Sequence, residues 1–268
     1  MYDTTGDGWI MHFLHGTSQL LNHFGPDACS HGAGREFFLT MRIFEISRSL
    51  LFTSETFLSE DKWQHLIGRM WNDENTHDWH PKEALYSIMT SCSSLGVRGS
   101  NLLDILPQLS HQDQVLQLQS IATEGTILRE SLRSWKETLT FWFLEHDMQI
   151  TLALIYYSAA SIYLSGLFDY FTHWKDRGIP TPTISGSEVQ DHVRVILSMI
   201  AVALRETSLS PLLFLFPLRV VGSRARGSLE RQCILDIFET VSRRGFLVAS
   251  TFTVELEELW KERNWVDT

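Results

Sequence analysis

Apolar residues recur at helical spacing along most of this chain. The clearest case is 190–206, where six apolar residues follow an i, i+3, i+4, i+7, i+8, i+11 pattern, which places them on one face of a helix: Val193, Ile196, Leu197, Ile200, Ala201 and Leu204. The same criterion, with proline and capping signals at the ends, predicts helices over 9–24, 36–52, 61–71, 81–91, 101–109, 112–143, 228–248 and 253–263. No stretch alternates polar and apolar residues between hairpin signals, so we expect no sheet. The pattern predicts an all-α fold, a compact array of many helices.

Glycine, proline and small polar residues divide this helical pattern. Gly25-Pro26 should end the first helix, Ser59 is a plausible N-cap for 61–71, and Gly125 is expected to break the long segment 112–143. Two stretches, 91–100 and 176–187, are rich in Gly, Ser and Pro and are interpreted as linkers. They would separate sub-blocks 1–91, 101–175 and 188–268. Because the linkers are short, a single domain over 1–268 is favoured.

The segment 148–168 has no charged residue and is long enough to cross a bilayer. Polar residues such as Gln149 interrupt it, and three tyrosines lie in its middle rather than at its ends, where an aromatic belt would place them. A buried core helix is therefore favoured over a membrane span. Together with the helix over 190–206 it should line any internal pocket, through Tyr156, Tyr157, Tyr163 and Met199.

Composition and charge limit the function classes. The chain has 268 residues, 44% of them hydrophobic, with 9 Trp and 16 Phe, which is ample for a packed interior. Its net charge of -10 should repel phosphate backbones, so we expect no direct contact with nucleic acid. Three separated cysteines, Cys29, Cys92 and Cys233, offer neither a disulfide framework nor a cysteine zinc site. The first residues carry acids and no basic cluster, which is unlike a secretory signal.

Several polar clusters contain residue types that could support catalytic or metal chemistry. The stretch 72–83, N-D-E-N-T-H-D-W-H-P-K-E, contains His77 and His80, but Pro81 indicates a loop, and a solvated acidic loop is favoured over a metal site. It also partly matches the Asn-Asp magnesium motif of terpene cyclases, yet no second acidic motif accompanies it. No nucleophile elbow or phosphate loop is present. We therefore predict no catalytic residue, no metal and no cofactor.

The histidines and arginines in other parts of the chain have structural explanations. His12 and His15 in the first helix are interpreted as packing residues. Six arginines near the end form either a docking face for an acidic partner or anionic effector, or a solvated rim with intrachain ion pairs, which is the favoured alternative: Arg219, Arg224, Arg226, Arg231, Arg243 and Arg244.

Two adjoining stretches carry a family resemblance. They are W-I-M-H-F-L-H-G-T-S-Q-L-L-N-H-F-G-P over 9–26 and R-E-F-F-L-T-M-R-I-F-E-I-S-R-S-L-L-F-T-S-E-T-F-L-S-E-D-K-W over 35–63. Together they resemble the regulatory domain of fungal zinc-cluster transcription factors, with weaker similarity over 156–167 and 211–260. The resemblance implies an all-α domain that follows a six-cysteine DNA-binding head and tunes its activity. That head is absent from this sequence, so we expect a fragment, a truncated product or a stand-alone relative.

The leading hypothesis is a transcription-regulator-like domain that modulates fungal gene expression through an effector or a protein partner, without DNA contact of its own. It would lie in the nucleus, or otherwise in the cytoplasm, and would not be secreted. Expected partners are a second protein or a second copy of the chain, and a small-molecule effector, but no membrane. One alternative is an enzyme of secondary metabolism, or a pericyclase-like scaffold, that uses an apolar helical pocket. The other is a pure interaction module.

Overall fold

The computed structural model describes residues 7–72, 79–139, 147–246 and 248–262, excluding the side chains of 7–14, 72 and 248. Within these ranges the chain forms eleven α-helices and no strand, which confirms the all-α prediction. The helices are α1 (Asp7–Ala28), α2 (Gly32–Phe52), α3 (Asp61–Asn72), α4 (Lys82–Ile105), α5 (His111–Thr138), α6 (Met148–Asp169), α7 (His173–Asp176), α8 (Gly186–Glu206), α9 (Leu215–Gly222), α10 (Ser228–Arg243) and α11 (Val248–Glu262).

Helix α6 lies at the centre of the array. It packs against α4, α5, α8 and α9, and 72% of its most apolar window is buried. Among the described helices it is the one long and apolar enough to cross a bilayer, and its packing is that of the predicted core helix. Buried apolar side chains from Leu21 to Trp260 form one continuous cluster around it. The predicted stripe on α8 faces this cluster, although Ala203 rather than Ala201 is its buried alanine.

Local sequence signals explain where several helices begin and end. The hydroxyl of Ser110 accepts a hydrogen bond from the backbone N–H of Asp113 at the start of α5, and Asp147 caps α6 in the same way. Ser185 and Glu188 form a capping box at the start of α8. At Gly25 the backbone has φ 74° and ψ 170°, so the regular helix stops there as predicted, and the last turn of α1 follows it.

The predicted linker over 91–100 is wrong, because α4 runs through it without a break. Its small residues let α4 approach α6 closely. A Cβ atom added at Gly96 would lie 2.3 Å from the phenol oxygen of Tyr163 on α6. Cys92, Ser93 and Leu95 are also buried there. The sub-blocks 1–91 and 101–175 are therefore joined by a continuous helix, since helix packing outweighs the weak helix propensity of Gly and Ser.

The predicted break at Gly125 is also wrong, and for the same reason. Helix α5 is continuous through it, and an added Cβ would lie 2.6 Å from the ring of Phe168.

Ser59 does not cap α3: its hydroxyl donates to the carbonyl of Thr56, and the first hydrogen bond of α3 runs to Glu60. Near the C-terminus, Gly245 has φ 94° and separates α10 from α11, so the expected helix over 228–248 ends at Arg243.

The second predicted linker, 176–187, is a loop from 177 to 185, but it is fastened to the core. The guanidinium of Arg129, which is 8% exposed, donates to the carbonyls of Pro182 and Ser161 at 3.1 and 2.9 Å. The backbone N–H of Ile184 donates to the hydroxyl of Ser165. These bonds hold the loop over α5 and α6, so it positions α8.

Candidate ligand cavity

The stretch 35–63, which carries the family resemblance, builds a rigid junction between α2 and the turn that follows it. The carboxylate of Glu45 accepts two hydrogen bonds from Arg48, each 2.8 Å long. The same guanidinium donates to the hydroxyl of Ser54 at 2.7 Å and to the carbonyl of Glu55 at 2.8 Å. Bidentate, charge-assisted bonds of this kind fix both distance and orientation. This pair therefore holds the turn against α2.

Aromatic packing completes that junction. The indole of Trp63 on α3 stacks on Phe38 with ring centroids 5.4 Å apart, and Phe57 from the turn lies 4.8 Å from it at a tilt. Trp63 is fully buried. The described part of the motif thus has a packing role, and it fixes the position of α2, which forms one wall of a cavity.

This cavity, of about 620 Å³, lies between α2, the start of α4, the start of α6 and the 209–213 segment. We call it the α2–α4–α6 cavity. Its volume lies within the range of small-molecule sites. Its apolar walls come from six side chains: Leu39, Ile43, Phe44, Leu152, Leu209 and Leu213.

The polar side of the cavity contains the cations of Arg35 and Lys82 together with the carboxylates of Glu36 and Glu83. The guanidinium of Arg35 lies over the Trp71 ring, 5.5 Å from its centroid, and pairs with the exposed carboxylate of Glu36 at 3.1 Å. The ammonium of Lys82 donates to the side-chain oxygen of Gln149 at 2.8 Å. Within the described ranges no carboxylate lies at ion-pair distance from Lys82, and the buried indole N–H of Trp71 has no acceptor.

A buried ion pair lies beside the cavity. Arg42 on α2 pairs with Glu83 on α4, and the two side chains are 2% and 5% exposed. Burial lowers the pKa of Arg42 to about 10, with Tyr86 opposing this shift and the positive charge of Arg35 contributing to it. The guanidinium lies 5.3 Å from the centroid of the Tyr86 ring, and burial raises the pKa of Tyr86 to about 12. The pair therefore ties the two helices together where the cavity begins.

The rim at the start of α4 and α6 contains a histidine. The Nδ1 atom of His80 accepts a hydrogen bond from the backbone N–H of Lys82 at 3.1 Å, so the neutral ring carries its proton on Nε2, 3.3 Å from the carboxylate of Asp147. Burial lowers the pKa of His80, opposed by the bond to Asp147. Burial also lowers the pKa of Lys82, as does the charge of Arg42, with Asp147 opposing. In both groups burial makes the charged form less favourable than it is in water, and Asp147 partly offsets this.

Two other cavities of comparable size contain charged side chains that pair within the chain. One, of about 610 Å³, is lined by Glu45 and Arg48, which bind each other, and by Arg98, which pairs with Glu124. The other, of about 470 Å³, is lined by Arg224 and Asp169, which pair at 2.6 Å. The α2–α4–α6 cavity differs because it combines apolar walls with a lysine that has no acidic partner, and an indole N–H that has no acceptor, among the described residues.

The four residues predicted to line a pocket lie in four different environments. Tyr156 is fully buried behind Tyr86, and its hydroxyl donates to the carbonyl of Leu213 at 2.8 Å. Tyr157 stacks on Trp135 of α5. Tyr163 packs against α4 and lines a small apolar pocket of about 170 Å³, and Met199 is half-buried at the edge of the core. Contact of any of them with a ligand stays a prediction.

Of the other candidate residues from the sequence, some lie outside the described residues and several form ion pairs within the chain. His77 lies outside the described residues, as does most of the acidic stretch around it, and the side chain of His12 is likewise not described. The described residues contain no group of three or more potential metal ligands. Several of the late arginines form intrachain ion pairs at 2.6 Å, which agrees with the interpretation as a charged rim: Arg219 with Glu255, Arg224 with Asp169, and Arg243 with Glu239.

Sequence reasoning missed the residues that distinguish the cavity. Arg42, Lys82 and Trp71 belong to three different helices, so no local spacing connects them. One signal was available. Arg42 follows Phe38 by one helical turn on the buried face of α2, and a charge placed there requires a buried partner.

Comparison with known families decides the class of the protein. The whole chain, residues 1–268, matches the family described as the fungal specific transcription factor domain. The chain belongs to this family. No curated protein and no solved structure matches it. The fungal transcription factor domain supports a role of the transcription-regulator type, favours a non-enzymatic function, and suggests nuclear localisation.

Proposed function

We propose that this fungal transcription factor domain modulates gene expression by binding a small-molecule effector in the α2–α4–α6 cavity. The observation that supports this most directly is the cavity itself, of about 620 Å³ and apolar on several sides. Among the described residues, Lys82 has no carboxylate partner and the Trp71 N–H has no acceptor. Recognition sites for small molecules combine apolar walls with a few well-placed polar groups in this way.

The position of the cavity gives an effector a means of acting on the rest of the domain. A ligand there would contact α2, α4, α6 and the 209–213 segment at once. Helix α2 is in turn fastened to the next turn by Arg48 and to α4 by the Arg42–Glu83 pair. A ligand that prefers one arrangement of these helices shifts the domain towards it by the difference in binding free energy.

In this proposal the domain works in the nucleus and does not touch DNA itself. Its net charge of -10 disfavours the phosphate backbone. A zinc-cluster head, on the same polypeptide or on a related protein, would supply DNA contact, and the effector-bound domain would change the activity of that head. The proposal includes no catalytic step.

The first test is native mass spectrometry of the protein purified from its own organism, alongside denaturing mass spectrometry. We expect a mass increment that is lost on denaturation and belongs to a small molecule. A dimer mass or a second polypeptide without a small molecule would favour the interaction module instead. An increment that is chemically converted during incubation would favour the enzyme alternative.

The second test fills the cavity. Leu209 is half-buried in its wall, and Leu209→Trp should block the effector and change the output of a reporter driven by the full chain fused to a heterologous DNA-binding domain. Leu109→Trp is the matched control, since Leu109 is also half-buried beside a 3-10 turn but does not line the cavity. Equal reporter output from wild type and both variants, at equal protein levels, would contradict the proposal.

A further inference from the structure

We propose that the ligand of the α2–α4–α6 cavity is an amphipathic organic anion, such as a carboxylate or phosphate monoester with an apolar body, whose head group binds at Lys82. This inference rests on the proposed function, and it names the chemical class of the effector. Its basis is a combination found among the described residues: a lysine without an acidic partner, a buried indole N–H without an acceptor, and apolar walls in one cavity.

The charges around the cavity call for an anion. The positive charge of Arg35 acts unfavourably on Arg42, and that of Arg42 acts unfavourably on Lys82. The Asp147 carboxylate partly opposes this effect at Lys82, although it is not at ion-pair distance. Arg42 is neutralised by Glu83, and Arg35 pairs with Glu36, whose side chain is 73% exposed. Lys82 has only the neutral amide of Gln149 as a close polar partner among the described side chains. An anionic group beside Lys82 would complete its pairing.

The donor set matches an oxyanion better than a neutral polar group. Lys82 offers N–H donors and no acceptor, and the same holds for Arg35 and for the indole of Trp71. The Trp71 N–H is buried without an acceptor in the described residues, and Trp71 lines the cavity. A carboxylate or phosphate has several acceptor oxygens and can bind more than one of these donors, through charge-assisted bonds.

The rest of the cavity requires an apolar body on the same molecule. Leu152 on α6 and Leu213 in the 209–213 segment form part of the apolar wall. Ile43 and Phe44 extend it along α2. A small inorganic anion would leave these side chains without contact. The apolar part supplies binding free energy by burial, and the head group sets orientation and charge preference.

The test compares decyl compounds that differ only in head group. Binding of decanoate, decyl phosphate, decanol and decyltrimethylammonium to the full chain is measured by calorimetry below micelle-forming concentrations. We expect both anions to bind at least about tenfold more tightly than the alcohol, because one charged hydrogen bond accounts for an affinity difference of that size. The cation should bind most weakly.

Variants then locate the head group. Lys82→Gln should reduce the affinity for decanoate about tenfold and leave the affinity for decanol unchanged. Trp71→Phe should reduce the affinity for both anions by a smaller factor. Lys136→Gln is the matched control, because burial also lowers the pKa of Lys136. Lys136 lies on α5, with its ammonium over the ring of Tyr157 from α6, and does not line the cavity. Circular dichroism confirms that each variant is folded.

The outcomes separate this inference from the function on which it rests. Equal affinity for all four head groups, or no effect of Lys82→Gln, overturns the anion assignment, while a reporter that responds to Leu209→Trp still supports effector binding in the cavity. If no decyl compound binds the wild-type protein, the anion assignment is wrong. If the reporter is also unchanged by Leu209→Trp, the proposed function fails with it.

Discussion

The guanidinium of Arg42 on α2 and the carboxylate of Glu83 on α4 form an ion pair whose side chains are 2% and 5% exposed. Helices from distant parts of the chain are joined there by opposite charges that lie almost entirely out of water. Removing one partner leaves the other charge buried and uncompensated. That is far more costly than loss of the pair as a whole.

Glu83→Gln should therefore lower the free energy of unfolding by about 3–5 kcal/mol, measured by urea denaturation. The double variant Arg42→Met/Glu83→Met should recover most of that loss, because no unpaired charge remains. Arg194→Met, which breaks the pair with Asp191 at side-chain exposures of 68% and 66%, should cost less than about 1 kcal/mol. A double variant as unstable as Glu83→Gln would argue against this explanation.

Glycines inside the helices should respond to alanine in opposite directions. Gly125→Ala places a methyl group 2.6 Å from Phe168 and 3.0 Å from Pro182, and should cost about 1–3 kcal/mol of overpacking. Gly68→Ala on α3 meets nothing within 4 Å and should stabilise the protein by about 0.5–1 kcal/mol, the usual helix preference of alanine over glycine. Thermal denaturation with a two-state fit measures both, and a stabilising Gly125→Ala would contradict the packing described for α5.

Stability should fall as the solution is acidified through the histidine range. Burial lowers the pKa of both His80 and His192, and the charge of Arg129 contributes at His192. The folded state therefore binds fewer protons than the unfolded state. The stabilisation that the two neutral histidines contribute is complete above the ordinary histidine pKa of 6.5, and it is lost as pH falls below that value. Urea midpoints between about pH 7.5 and 5.5 should therefore decrease.

The double variant His80→Gln/His192→Gln should show a shallower decrease over the same range. The ring of His192 faces Tyr157 with centroids 5.6 Å apart, and His80 faces Asp147, so glutamine preserves polarity without titrating. An unchanged slope would show that other groups control the pH dependence.

The three cysteines should react with thiol reagents at different rates. Cys92 is fully buried with its pKa raised by burial to about 12, and Cys29 is 2% exposed with its pKa also raised by burial. Cys233 is only half-buried. With a chromogenic disulfide at neutral pH, we expect one thiol to react in the folded protein and three after denaturation. Cys233→Ser should remove the fast phase, and a fast phase that persists in this variant would contradict the assignment.

The amphipathic patterns were good guides to the helices. The stripe from Val193 to Leu204 is buried on α8, and the uncharged segment around Tyr156 is the central helix, because hydrophobic periodicity directly reports which face leaves water. Glycine and serine were poor guides. At Gly96 and Gly125 they allow helices to approach closely, and a single sequence cannot distinguish close packing from a loop.

The candidate site was predicted less well than the fold. Tyr156, Tyr157 and Tyr163 were chosen because they lie on an apolar helix, and that pattern says nothing about which side faces a cavity. The α2–α4–α6 cavity depends on how three helices cross, and its distinguishing donors at Trp71 and Lys82 carry no motif.

The sequence alone determined the all-α class, the central helix and membership of the fungal transcription factor domain family, because these depend on local periodicity and on a motif of adjacent residues. Only the tertiary structure decided that Arg42 pairs with Glu83, that the small residues of α4 continue a helix, and that Lys82 lies at a cavity without a described acidic partner. Burial and charge pairing are properties of residues brought together from distant parts of the chain, and local spacing does not contain them.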